Sequence, residues 1–248
     1  MSRTEIQLPT PEGPARAFTF KPDQGTGPWP GAIFFMDAPA IRPALFDMGQ
    51  RLADAGYYVI MPDMFWRAGP YKPIVIAEAL KDEASRRAAF GAMASTTNPE
   101  KAMSDTRACL DFLAAQPAVK GDKVGVTGYC MGGGLALRAA GTFPDRVAAA
   151  GAFHGGNMAT DAPDSPHLLA PKVKAKMFVG GADEDRSFDE AQKERLEAAL
   201  KDAGVDAEVT IYRGAKHGYA PADMPAYDPA AAERHWRDLI ALFDSVLK

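Results

Sequence analysis

Cys130 stands in Gly128-Tyr129-Cys130-Met131-Gly132-Gly133, directly after the apolar run Lys123-Val124-Gly125-Val126-Thr127 and before a stretch of small residues. A nucleophilic side chain with glycine two positions before and two positions after it marks a sharp strand-to-helix turn. The flanking positions lie too close together to carry a Cβ, and the central residue is held where its side chain projects off the strand end. Sulfur placed there meets its target beside the first amides of the next helix, so the amide of Met131 becomes an oxyanion donor. The same helix N-terminus favours an anionic sulfur. These glycines do not fit G-x-G-x-x-G, and no Gly-Lys-Ser/Thr follows, which argues against a dinucleotide or phosphate loop. The second cysteine, Cys109, lies among apolar residues at helical spacing and reads as a core thiol.

A thiol nucleophile needs a base and an acid to orient that base. After a turn of this kind the partners come in the order nucleophile, acid, histidine. Of four histidines, His217 lies in Gly214-Ala215-Lys216-His217-Gly218-Tyr219, after the last strand pattern and before the last helix pattern, where the base is expected. His154 ends a strand and would line the pocket, His167 lies in a loop, and His235 sits in the last helix as a packing or surface residue. Two acids follow the run that ends at Val179, Asp183 and Asp185. Asp185 is favoured because Ser187 could cap a helix starting at Phe188 and so anchor it, with Asp183 the alternative.

The elements that must hold these residues are short. An opening hairpin runs over Thr4–Pro9 and Pro14–Lys21, turning at Pro11-Glu12-Gly13. Apolar runs at Gly31–Met36, Tyr57–Met61, Lys123–Thr127, Val147–Phe153, Ala175–Val179 and Ala207–Tyr212 read as buried strands. Helical spacing covers Pro43–Gly56, Pro99–Gln116, Phe188–Gly204 and Pro229–Lys248, and a helical excursion is expected between Phe65 and Ser95. The reading is one α/β domain over residues 1–248, a mostly parallel sheet with an antiparallel N-terminal edge and helices on both faces.

With 47% hydrophobic and 24% charged residues, the chain has the composition of a globular protein, which excludes disorder, collagen and disulfide-stapled miniproteins. The net charge is −4 and no basic arm is present, so nucleic acid is not an expected partner. No signal peptide and no apolar run near ~20 residues is visible, so neither membrane nor secretion is expected and the cytoplasm is the default location. The cysteines show no metal-type spacing, and neither metal nor cofactor is expected.

On the Gly-Tyr-Cys-x-Gly-Gly turn, the acid loop, Lys216-His217-Gly218-Tyr219, Phe35-Met36-Asp37-Ala38-Pro39 and Gly56–Phe65, the chain resembles the dienelactone hydrolase family of α/β-hydrolases over nearly its whole length. The resemblance implies a Cys130, Asp185, His217 triad and an oxyanion hole from the amides of Met131 and Ala38. Best-known members carry a thiol-activating glutamate where this chain has Asp37, one methylene shorter. They also hold a substrate carboxylate with arginines, and Pro221 occupies one matching position. An apolar, aromatic pocket is therefore expected, with Phe65, Trp66, His154 and Tyr219 among its residues and Arg42, Arg67 and Lys216 as charge partners.

The expected activity is cleavage of a small ester or lactone through an acyl-thioenzyme, by a monomer or small homo-oligomer. Two other readings stand beside it. One is a general esterase or thioesterase acting on an unrelated acyl substrate. The other is a non-catalytic, ligand-binding member of the same fold.

Overall fold

The computed structural model describes residues 3–72 and 74–248, so Met1 and Ser2 of the N-terminal reading lie outside the described residues. The opening residues alternate between exposed and buried and pair as an antiparallel hairpin, β1 (Thr4–Thr10) with β2 (Gly13–Phe20). The continuous apolar runs become β3 (Trp29–Phe35), β4 (Tyr58–Pro62), β5 (Val119–Tyr129), β6 (Val147–Phe153), β7 (Lys176–Ala182) and β8 (Ala207–Tyr212). They form one eight-stranded sheet in the order β1-β2-β4-β3-β5-β6-β7-β8. β2 meets β4 antiparallel, and every pairing from β4 to β8 is parallel. Strands covered on both faces have no solvent side to mark with polar residues, which is why the central runs do not alternate.

The helices are α1 (Pro43–Asp54), α2 (Ile76–Ala79), α3 (Glu83–Ala94), α4 (Pro99–Ala114), α5 (Met131–Thr142), α6 (Glu190–Asp202) and α7 (Pro229–Leu247). α1 and α7 pack on one face of the sheet, while α4, α5 and α6 cover the other. Their ends follow side-chain chemistry. Asn98 caps α4 through the Lys101 amide and Asp228 caps α7 through the amides of Ala230 and Ala231, each followed by proline at the first helical position. α7 stays on the sheet by burying Trp236, Leu239, Leu242 and Phe243, each worth about 1.5–3 kcal/mol of removal from water.

Several boundaries shift from the sequence expectation, and two of the shifts have a clear cause. β5 begins at Val119 instead of Lys123, because Val119 and Lys120 pair with Trp29 and Pro30 before the register jumps to Val124 opposite Gly31. α6 begins at Glu190 instead of Phe188, capped by Asp189 through the Gln192 amide. Ser187 is therefore not a helix cap. The excursion between Phe65 and Ser95 comprises a 3-10 turn at Trp66–Ala68 followed by α2 and α3. Among the described residues no helix is long and apolar enough to cross a membrane.

Candidate active site

Cys130 joins β5 to α5 with φ 54° and ψ −116°, a left-handed conformation that is costly for a residue with a Cβ. The neighbouring backbone explains why it persists. A Cβ on Gly128 would lie 1.9 Å from the Gly132 carbonyl oxygen, and a Cβ on Gly132 would lie 2.5 Å from the Phe35 carbonyl oxygen. The chain thus crosses itself and then crosses the end of β3, at distances only glycine permits. Tyr129 braces the turn from behind: its ring stacks between Phe34 and Phe153, and its hydroxyl lies 3.0 Å from His235 Nε2. His235 is fully buried and also bonded to the Ala232 carbonyl oxygen, so the sequence option of packing describes it. No side chain caps α5, and its first amides have no acceptor within the helix. Met131 opens that helix beside the sulfur.

His217 approaches from the loop after β8. Its Nδ1–H donates to Asp185 Oδ2 at 2.6 Å, which leaves Nε2 for a second partner. The Ser187 amide and hydroxyl donate to the other oxygen, Asp185 Oδ1, at 2.8 and 2.6 Å. Asp183 is turned away, its carboxylate accepting from Arg213 and from the Gly214 amide. Burial works against a charged His217, but hydrogen bonds and charge from Asp185 and from the sulfur of Cys130 outweigh it and push its pKa up to about 10. Burial also disfavours a charged Asp185, yet His217 and Ser187 hold its pKa below the usual carboxylate value.

His154 is fully buried behind His217, with ring centres 5.2 Å apart and edge to face. Both its nitrogens lack a hydrogen-bond partner, and burial followed by the nearby His217 and His235 keeps its pKa well below the ordinary histidine value. It presents an uncharged wall to the pair in front of it.

Several residues expected at the site are placed elsewhere. Asp37 takes Arg42 Nη1 at 2.5 Å and Nη2 at 2.9 Å, and Arg42 turns its Nε to Asp223 at 2.6 Å. Asp37 is thus engaged by a guanidinium on both oxygens, and Arg42 is taken by two carboxylates. Ala38 is half-buried next to Asp37 in the loop after β3. Phe65 is buried in the core, and Trp66 donates to Asp105 through its indole nitrogen. Arg67 is taken by Asp105 and Glu12. Tyr219 is buried against His154 and donates to the Gly180 carbonyl oxygen. None of Phe65, Trp66, His154 or Tyr219 lines the cavity at the sulfur.

That cavity, about 460 Å³, is walled instead by Ala94, Thr97, Pro99 and Ala102 from the α3–α4 region and by Met131, Gly134, Leu135 and Arg138 of α5, with Cys130, Ser187 and His217 at one end. Sequence reasoning missed Thr97, Ser187 and Arg138 as site residues. A signal for Arg138 was present, because positions 131, 134, 135 and 138 share one helical face. Among the described residues no group of three or more His, Cys, Asp or Glu side chains could hold a metal ion.

The model of the "Dienelactone hydrolase family" matches residues 15–247. A "Putative carboxymethylenebutenolidase" of Synechocystis is 27% identical over 232 residues, 90% of this chain and 88% of its own length. Among solved structures, a "Putative Dienelactone Hydrolase" of Klebsiella pneumoniae superposes with TM-score 0.83 at 22% identity, covering 98% of each chain. A dienelactone hydrolase-like promiscuous phosphotriesterase from metagenomic libraries gives TM-score 0.76 at 22% identity, over 100% of this chain and 99% of its own. At those identities the two structures share the fold.

Proposed function

The chain belongs to the dienelactone hydrolase family, a hydrolase family of the α/β-hydrolase fold, and from that premise we propose that it cleaves ester or lactone bonds with Cys130 as nucleophile. The observation that carries the reading is the 2.6 Å hydrogen bond that fixes His217 Nδ1 on Asp185 while His217 and Cys130 line one cavity. An imidazole oriented in this way can accept the thiol proton and so supply the thiolate.

In the proposed cycle the thiolate adds to the carbonyl carbon, and the amides of Met131 and Ala38 hold the oxyanion that forms. Removing one such donor typically costs about 3 kcal/mol of transition-state stabilisation. Collapse of the tetrahedral intermediate breaks the carbon–oxygen bond, and His217 gives its proton to the departing alkoxide. Neutral His217 then takes a proton from water, and the resulting hydroxide attacks the thioester. The carboxylic acid leaves and the thiolate is restored beside a reprotonated His217. Asp185 orients the ring throughout and stays ionised.

The test is turnover of p-nitrophenyl esters and small lactones by wild type, Cys130→Ala and His217→Ala, with mass spectrometry of the enzyme trapped at short times. The reading predicts a single acyl group on the peptide carrying Cys130 and loss of turnover in both variants. Wild-type turnover in Cys130→Ala would sink it. Cys109, which is buried and whose thiol is pushed well above its ordinary pKa by that burial and by Asp105, should carry no label.

A further inference from the structure

The cavity at Cys130 extends away from the sulfur along one face of α5, with Met131, Gly134, Leu135 and Arg138 in succession. Gly134 leaves the middle of that face open, since a Cβ there would meet nothing closer than 3.7 Å. Arg138 lies eight residues beyond Cys130, about 12 Å along the helix axis. It lines the same cavity as the sulfur, with its guanidinium on the Asp164 carbonyl oxygen.

The pairing of this arginine differs from that of four others in the fold. Arg16, Arg42, Arg51 and Arg67 each have a carboxylate within 2.7 Å and have pKa values shifted upward. Arg138 is 14% exposed, donates to the Asp164 backbone carbonyl, and has only the largely exposed Asp164 carboxylate at 3.7 Å. Burial accordingly draws its pKa down, with Asp164 opposing. The same groove holds a second polar group in need of a partner, the buried Thr97 hydroxyl, which has none. A guanidinium and a hydroxyl lining one largely apolar groove with Cys130 are the equipment for a carboxylate carried on an apolar chain.

We propose that the groove selects extended acyl substrates whose chain ends in a carboxylate, held by Arg138 with the Thr97 hydroxyl while the scissile carbonyl lies at Cys130. The proposal rests on the hydrolase reading above and extends it. It names the acid portion as an ω-carboxyl acyl chain long enough to cross the groove, not a compact ring with its anion beside the reacting bond.

Suberate and octanoate, the acid products of a matching pair of esters, test this by titration calorimetry at constant ionic strength on wild type, Arg138→Met and Arg138→Lys. Wild type should bind suberate about tenfold or more tightly than octanoate, the scale of charge-assisted hydrogen bonds. Arg138→Met should bring that ratio close to one, and Arg138→Lys should recover part of it. Thr97→Val should lower the ratio by a smaller factor. Equal or tighter binding of octanoate by wild type, no binding of either acid, or a suberate preference that survives Arg138→Met would overturn the proposal. These ligands undergo no turnover, so the outcome does not depend on the identity of the nucleophile. Failure of the hydrolase reading would appear separately, as ester turnover that survives in Cys130→Ala.

Discussion

Ser187 grips the oxygen of Asp185 that His217 does not use, with hydroxyl and amide both donating to Oδ1 while Oδ2 is left for the imidazole. The acid is thereby fixed in the plane that His217 needs. Replacing Ser187 by alanine removes the hydroxyl and keeps the amide, a loss of about 1 kcal/mol of hydrogen bonding. In Ser187→Ala kcat should fall roughly fivefold with little change in KM. Steady-state kinetics on one activated ester decide the point, and an unchanged kcat would remove Ser187 from the positioning of the acid.

The raised pKa of His217 ties stability to pH with a definite sign. Its folded value of about 10 lies above the ordinary 6.5, so its contacts stabilise the fold fully below about 6.5 and lose that contribution as pH rises through 10. Wild type should therefore melt above His217→Gln in mildly acidic buffer, and the gap should close towards pH ~10. Melting curves across that range check it; a gap that widens with pH would contradict the assignment. Part of the shift comes from the sulfur, so NMR titration should show a lower His217 pKa in Cys130→Ala than in wild type.

Arg42 is 2% exposed and holds Asp37, which is 1% exposed, as well as Asp223. Burial opposes its charge, but Asp37 and then Asp223 outweigh burial and keep it firmly protonated. Arg42→Met would leave Asp37 in the interior without its guanidinium, where burial already raises its pKa, a loss of about 3–5 kcal/mol. Asp37→Asn in the same background should recover part of it, because the uncompensated charge is gone. Urea unfolding of the two single variants and the double variant measures the coupling.

Gly132→Ala asks a Cβ to fit 2.5 Å from one backbone oxygen and 2.7 Å from the next, those of Phe35 and Met36. Neither is the end of a flexible side chain, so the loop after β3 must move, carrying Ala38 with it. A stability loss of about 3 kcal/mol is expected, with turnover falling by more than the remaining folded fraction explains. Gly91→Ala, where a Cβ meets nothing closer than 3.8 Å, is the control and should be neutral or mildly stabilising.

The mostly parallel sheet with its antiparallel N-terminal edge was legible because it depends on the succession of apolar strand runs, which is written locally. Asp185 and Asp183 could not be separated on local grounds alone. The argument for Asp185 used Ser187 as a helix cap, whereas Asp189 caps α6 and Ser187 bonds the acid directly. The cavity wall was misread for a different reason. Residue type says that Phe65, Trp66 and Tyr219 will be covered, but not by what, and the hydrophobic core and Asp105 claimed them. The true wall draws on Ala94 and Thr97, from the least regular stretch of the sequence, and on Arg138, whose direction depends on the phase of α5. The Arg42 partner of Asp37 could not be read from the sequence, because it depends on how the loop after β3 folds back on itself.

The contacts that hold residue 130 in its strained conformation are Gly128 against Gly132, Gly132 against the end of β3, Tyr129 against His235, and the backbone bonds of residue 130 to Phe153, Gly133 and Gly156. None of them depends on what the side chain at 130 is. The turn behaves as a socket, shaped by its surroundings and indifferent to the atom plugged into it. A serine would therefore sit in the same seat with its oxygen aimed where the sulfur now points. Exchanging the two is a swap of leaving-group and proton chemistry carried out on a fixed mount, and Cys130→Ser should fold as wild type does while reporting only on that chemistry.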